Sequence, residues 1–255
     1  KVNAVFVAFE SDDYTGAIRA MRALNIRELT ITMPYKELII PYLDSIEKQA
    51  EIVGNVNTVI NTNGHLRGYN TDIDGIGLAL KGIRVRGKTV ALFGAGGAAK
   101  TIAHFIVKKG GNPHIINRDV QEARALSKKY GIKYSTLDTD IRALFSQIKP
   151  SIVINATPVG MGLFRGKSLV PFSALHARMT VFDLIYNPLQ TQFLKNARRA
   201  GCVCINGSMM FLGQGASQFE LWSGKKAPFK IMQKAFDLQV KKLNYGTTKE
   251  KNINR

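Results

Sequence analysis

The sequence predicts an α/β protein in two parts. An N-terminal α/β domain is completed by the closing helices, and a doubly wound, parallel-sheet domain is inserted between them, with a cleft at the junction. Three observations predict this. Strand and helix patterns alternate along the chain, which favours parallel sheets. A fresh strand at "KGIRVRGKTVALFG" leads into a glycine-rich turn near the middle. The segment from Met209 onward is helical in pattern and follows the last strand signal. The division expected is 1–72 with 207–255 for the first domain and 73–206 for the second.

In order, "VNAVFVAFE" reads as a strand. "DDYTGAIRAMRALN" reads as a helix capped by Asp12 or Asp13, with Ala17, Ile18 and Met21 inward. "ELTITM" reads as a strand. Pro34 suits the first turn of a following helix, where its missing N–H is no loss. "DSIEKQAEIVG" reads as a helix ending at Gly54, and Asn63-Gly64 marks a two-residue hairpin turn. Thr89 to Phe93 is a strand, "AAKTIAHFIVKKG" a helix and "PHIINR" a strand. Further strands are expected at "SIVINAT", "MTVFDLIY" and "GCVCIN". "FKIMQKAFDLQVKKL" places Phe229, Met232, Phe236 and Val240 on one helical stripe with lysines opposite. "NYGTTKEKNINR" reads as a frayed tail.

Composition bounds the function. Hydrophobic residues make up 45% of 255, and no apolar run approaches a bilayer span. No secretory signal is visible, and Lys1 opens on a strand already under way, which implies residues upstream. Cys202 and Cys204 share a strand face and read as two buried thiols in a reducing cytosol, so the expected location is cytoplasmic. The four histidines lack metal-ligand spacing, and no metal is expected. Net charge is +18. From Lys225 to Arg255 there are nine Lys/Arg against two acids, a local +7. Without an RNA- or DNA-reading motif, this charge suits an enzyme for anionic small molecules better than specific nucleic-acid binding.

"GAGGAA", Gly94 to Ala99, fits G-x-G-x-x-A between a strand and a helix. Such glycines let backbone N–H groups approach a pyrophosphate at a helix N-terminus, so a Rossmann-type dinucleotide site is expected. The second strand ends in Asn117 and Arg118, where an NAD site would place an acid. Arg118 can pair with a 2′-phosphate, which favours NADP. Asp119 beside it repels such a phosphate and keeps NAD as the weaker alternative.

Reduction of a ketone by hydride needs a positioned acid. Lys36, in "ITMPYKE", and Asp72, in "GYNTDIDG", form a candidate pair at the cleft. Each has an ordinary alternative: a surface lysine, and a helix cap.

These motifs, in their order, resemble the shikimate dehydrogenase family, including the quinate/shikimate dehydrogenases. "TITMPYKE", "VGNVNTV", "GYNTDIDG", "GAGGAA", "NRD", "INATPVGM", "VFDLIYNPLQT" and "NGSMMFLGQGASQFELW" carry the resemblance across essentially the whole chain. It implies NADP-dependent, reversible reduction of 3-dehydroshikimate to shikimate by a monomer or homodimer that binds no membrane. It implies Lys36 and Asp72 as the catalytic pair. Thr32, Asn57 and Asn70 hold the substrate, with Gln214 contributing and Tyr186 bordering it. Gly94, Ala95, Gly96, Gly97 and Ala98 cradle the pyrophosphate. Asn117 and Arg118 meet the 2′-phosphate, and Thr157, Leu184, Gly207 and Met210 line the nicotinamide side. The sequence departs from the family in three places. It lacks the N-terminal Ser-x-Ser block that grips the substrate carboxylate. Thr30 and Asn55 stand for the usual Asn and Ala, and Asp119 stands for the usual Thr. A mixed NAD/NADP quinate/shikimate enzyme and a non-catalytic NADP-binding module are the alternatives.

Overall fold

The computed structural model describes the backbone of residues 2–253 and gives no account of the side chains of residues 241 and 243–253. Two sheets organise the described residues. The smaller is mixed, with strand order β1-β3-β4-β2. β1 (Glu28–Thr30) and β4 (His65–Tyr69) each run antiparallel to β3 (Thr58–Thr62), while β2 (Ser45–Ile46) is parallel to β4. Asn63 and Gly64, with φ 53° and 88°, make the β3–β4 turn, as the Asn-Gly pair predicts. Helix α1 (Tyr14–Ala23) is capped by Asp13, whose carboxylate accepts from Gly16 N, and buries Ile18 and Met21 against Val59 and Leu66.

The larger sheet is parallel throughout, in the order β10-β9-β8-β5-β6-β7. Its strands are β5 (Thr89–Phe93), β6 (Asn112–Asn117), β7 (Lys133–Thr136), β8 (Ile152–Asn155), β9 (Thr180–Asp183) and β10 (Val203–Ile205). Counted within this sheet, the order is 3-2-1-4-5-6, the doubly wound arrangement whose switch point falls between β5 and β8. Residues such as Val90, Leu92, Ile152 and Ile154 are buried on one face, and Ala91, Phe93, Val153 and Val181 on the other. Helices α4 (Gly97–Lys108) and α5 (Val120–Tyr130) contribute to the first layer. Helices α6 (Ile141–Ile148) and α7 (Gln192–Arg199) contribute to the second. Cys202 and Cys204 are free, partly buried thiols against this second layer.

Two helices join the sheets: α3 (Asp72–Ala79) and α8 (Ser208–Ser223). They pack at glycines from both sides: a Cβ on Gly75 would lie 2.4 Å from Met210 O, and one on Gly213 would lie 3.0 Å from Gly75 Cα. This close approach sets Asp72, at the start of α3, beside the face of α8 that carries Met210 and Gln214. α3 also shares the inserted sheet's core through Ile76, Ala79 and Leu80.

Four sequence expectations are corrected. Residues 2–10 form no strand; they are exposed and pair with nothing described, since β1 pairs only with β3. β-rich composition produces a strand only where a partner exists. No α-helix follows Pro34; the segment reaches only a 3-10 turn at Ile40–Tyr42. Residues 33–39 are turns, because the Lys36 carbonyl accepts from Val56 N rather than from a residue four positions on. The segment from Asp44 splits into β2 and a shorter helix, α2 (Lys48–Val53), capped by Glu47 and closed by Gly54 at φ 72°. Finally, α9 (Phe229–Ile253) carries helix through most of the expected tail.

Candidate active site

A cleft of about 230 Å³ lies where the two sheets meet. Strand-end residues Thr30, Ile31 and Thr32, with Lys36, Asn57 and Asp72, form one wall; Leu184, Tyr186, Gly207, Met210, Phe211 and Gln214 form the other. Lys36 Nζ donates to Asp72 Oδ2 at 2.7 Å, with both side chains largely buried. Two further ammonium hydrogens remain for the cleft. The other Asp72 oxygen accepts from Asn57 Nδ2 at 2.9 Å. Asp72 is the first residue of α3, so the positive end of the helix dipole lies at its carboxylate.

Behind this pair runs a polar chain that is buried except at its outer end, Thr30. Asn57 Oδ1 accepts from Thr71 N and from the Thr58 hydroxyl, each at 2.9 Å. Gln218 Nε2 donates to Thr58 Oγ1 at 3.0 Å. The Thr30 hydroxyl donates to Gln218 Oε1 at 3.4 Å. The network fixes the amide of Asn57 with its oxygen away from Asp72 and its NH2 towards it. Thr58, Thr71 and Gln218 were not foreseen from the sequence. Gln218 lies four residues after Gln214 on α8, one turn along the same face, and that spacing was the available signal.

Lys36, Asp72, Thr32, Asn57, Tyr186 and Gln214 thus surround one space, together with Leu184, Gly207 and Met210. Asn70 does not line it. Its amide donates to Asn55 O at 3.0 Å and Thr101 Oγ1 at 3.1 Å, at the seam between the small sheet and α4. Asn55 Nδ2 donates there to Gly97 O at 2.7 Å. The Tyr186 ring packs at a tilt against Phe211, centroids 4.5 Å apart, and Phe211 in turn lies 5.5 Å from Phe236 of α9. Gly207 is required for space, since a Cβ would lie 1.8 Å from Leu184 O.

The glycine turn lies at the switch point. Gly94 adopts φ 109° with its amide on Ile116 O, and Ala95 is buried beneath it. Gly97 begins α4 against the Asn55 side chain, 2.9 Å from where a Cβ would be. Above Gly96 nothing lies within 4 Å of a Cβ position, so the N-terminus of α4, with Ala98 in its first turn, opens onto free space. This cradle fits a pyrophosphate. Thr157 stands beside Gly94 and donates to Asn155 Oδ1 at 2.7 Å. Arg118 is exposed just past the end of β6, on the same edge as the turn. Asp119 is occupied as the cap of α5, accepting from Gln121 N and Glu122 N. Asn117 Nδ2 donates to Glu122 Oε2 at 2.9 Å.

Among the described residues there is no group of three His, Cys, Asp or Glu able to hold a metal, and no helix is long and apolar enough to cross a membrane.

Comparison with known proteins agrees with this layout. Residues 1–59 match the family model for the shikimate dehydrogenase substrate binding domain, and residues 207–235 match that for the shikimate 5′-dehydrogenase C-terminal domain. The chain is 37% identical over 249 residues to a shikimate dehydrogenase (NADP(+)) of Dehalococcoides mccartyi strain CBDB1, covering 94% of this chain and 87% of that one. A crystal structure of a shikimate dehydrogenase in complex with NADP+ superposes with a TM-score of 0.83 at 36% identity, over 91% of this chain and 83% of that one. A quinate dehydrogenase of Corynebacterium glutamicum in complex with NAD gives 0.78 at 31%, over 88% and 82%.

Proposed function

The chain belongs to the shikimate dehydrogenase family, and from that premise we propose how its own residues perform the NADP-dependent, reversible reduction of 3-dehydroshikimate to shikimate. The observation that carries the assignment of roles is the 2.7 Å Lys36–Asp72 pair inside the cleft, facing Leu184 and Gly207 across it. Residues 1–72 with 207–255 act as the substrate domain, and residues 73–206 as the dinucleotide domain.

Bound NADPH supplies the hydride. Lys36 Nζ delivers a proton to the ketone oxygen as charge develops there, and Asp72 holds the ammonium in place and takes a share of its charge. In the reverse direction the pair draws the proton from the ring hydroxyl. Asn57 Nδ2, fixed by Thr58 and Thr71, together with Thr32 and Gln214, supplies donors and acceptors to the ring hydroxyls. Leaving such a buried group unpaired costs about 1–3 kcal/mol, so the site selects for a polyol ring. Tyr186 closes the rim. The backbone from Gly94 to Ala98 holds the pyrophosphate. Arg118 pairs with the 2′-phosphate, an arrangement that Asp119 does not oppose, since its carboxylate is turned into the cap of α5. Thr157 and Met210 bound the nicotinamide.

The test is the initial rate of NADPH formation from shikimate and NADP, run beside quinate and NAD. A rate with shikimate and NADP well above the others is expected. Arg118→Ala should raise KM for NADP about tenfold or more, the scale of one lost charge-assisted contact, while KM for NAD changes little. Equal losses for both cofactors would remove the 2′-phosphate role.

A further inference from the structure

The sheet that carries the glycine turn at the C-terminal ends of its strands has a second, larger hollow at the other end. It measures about 890 Å³ and is bordered by the first residues of β8 and β9 and the segment just before β5. Three stretches distant in sequence supply its walls: 82–88, 142–152 and 173–180. They bring Arg84, Lys88, Arg142, Lys149, Arg178 and His176 to one concavity, and none of its lining residues is an acid. Of these, only Arg142 has a carboxylate within 4 Å among the described residues, Asp140 at 3.7 Å. Arg84, Lys88, Lys149 and Arg178 are exposed, and no carboxylate lies within ion-pair distance of them among the described residues.

The local fold explains how they converge. Val85 is buried, so Arg84 and Lys88 are held on a pinned loop. Arg142, Phe145 and Ser146 line one face of α6 at helical spacing, and Lys149 caps its C-terminal end. Below the cations, Phe145, Leu175 and Met179 form an apolar floor. Cations near a helix C-terminus, as Lys149 is at the end of α6, have an ordinary stabilising role. That role accounts for one charge here. It does not account for five cations and a histidine from three segments with no acid among the lining residues, in a chain that also carries net +18. Like charges gathered in this way repel, and an anion with several charges relieves them.

We propose that this basal hollow binds a compact polyanion, a chain of two or more phosphate groups, at a site separate from the active site. The hollow has the size of a small-molecule site rather than the long, shallow track that a nucleic-acid strand needs. β5 spans five residues between the two ends, so this site and the glycine turn are about 17 Å apart along the strand and do not compete.

The test uses the whole chain saturated with NADP, so that the dinucleotide site is closed to the probes. Calorimetry measures binding of inorganic tripolyphosphate, ATP and a single-stranded DNA 20-mer. Saturable one-site binding of tripolyphosphate is expected, weakening about tenfold or more between low and physiological salt. Lys88→Gln should weaken it severalfold, and Arg84→Glu with Arg178→Glu should abolish it, with kcat and KM for shikimate unchanged in both. ATP binding tighter than tripolyphosphate would identify a nucleotide seated on the apolar floor; equal affinity would identify the phosphate chain alone. The proposal fails if NADP-loaded protein binds neither tripolyphosphate nor ATP, if the charge-reversal variant binds as well as wild type, or if the 20-mer displaces tripolyphosphate with much higher affinity.

Discussion

Asp72 and Asp183 are both buried carboxylates near the junction of the two sheets, and their surroundings are opposite. Asp72 is met by a cation, Lys36, and opens with it onto a cleft. Asp183 is fully buried at the end of β9 and, among the described residues, is met only by neutral donors: Thr191 Oγ1 at 2.6 Å, Asn155 Nδ2 at 3.0 Å and Ile185 N at 3.3 Å. Burial pushes its pKa up to about 6, against the pull of those three donors. A carboxylate at the C-terminal end of a parallel strand, with a raised pKa, has the appearance of a catalytic group. Its contacts give it another task. It ties Asn155, the last residue of β8, to Thr191, the cap of α7, and fixes the turn that brings Leu184 and Tyr186 to the cleft. What separates the two acids is access and a cation, not burial.

That contrast breaks first at Lys36. Lys36→Ala removes the proposed proton donor and should lower kcat by about 10²–10⁴, the usual worth of a positioned acid, with little change in NADP affinity. Steady-state rates and a cofactor titration check this, and near-wild-type turnover would end the assigned role. Asp183→Asn should act on the fold instead. Its NH2 either opposes the N–H donors Asn155 Nδ2 and Ile185 N or takes the place of the oxygen that accepts from Thr191, whose hydroxyl must then turn, costing about 1–3 kcal/mol of stability, while turnover of the folded protein falls far less than in Lys36→Ala. Denaturant midpoints beside kcat separate the two. A collapse of kcat with stability intact would move Asp183 into the chemistry.

The pH dependence sharpens the same point. The folded pKa of Asp183, about 6, lies above its ordinary value of 3.8, so folding takes up a proton between them. Its stabilising contribution is complete below 3.8 and is lost as pH rises through about 6. The wild-type protein should therefore gain from this group when pH drops from 7.5 to 5, and Asp183→Asn should lack that gain. Glu28, which burial pushes up to about 7, has the same sign but is present in both proteins, so it cancels in the difference. Denaturant midpoints at the two pH values test this. An identical pH response in both proteins would show that Asp183 is not the group responsible.

How much of this was legible beforehand depends on where the information lay. The β5–α4–β6 unit announced itself, because the glycine turn and the periodicities that flank it are local. The same holds for the Asn63-Gly64 hairpin and for a cap at Asp12 or Asp13, of which the fold uses Asp13. Lys36 and Asp72 could be named because each sits in a short motif, but their 2.7 Å contact spans 36 positions and only the fold makes it. The expected strand at 2–10 and the helix after Pro34 failed for the reverse reason: local propensity had no partner strand in one case, and a tertiary bond from Val56 overrode it in the other. Asn70 was placed in the substrate set for its position in the Asn-Thr-Asp motif. In a turn the side chains of neighbours diverge, and that of Asn70 points to α4. Gln218 and Asp183 lie inside two of the quoted motifs, yet no role was read for either; what matters in them is burial and partners distant in sequence, which a local pattern does not reveal.

A third pair completes the comparison at its small end. Lys100 Nζ contacts both Glu37 oxygens at 2.7 Å, the same length as Lys36–Asp72, and it too links the small sheet's loop to the dinucleotide side. The difference is solvent: the Glu37 side chain is 43% exposed and that of Asp72 only 7%. Water screens the exposed pair, so Lys100→Gln should cost only about 0–1 kcal/mol, and that cost should vanish in high salt. Because Glu37 adjoins Lys36, the loop should move slightly with it, giving a modest rise in KM at low salt and no change in kcat. Measured across a salt series, a large, salt-resistant loss of kcat would mean that Lys100 acts on Lys36 directly, and that distance rather than burial ranks these pairs.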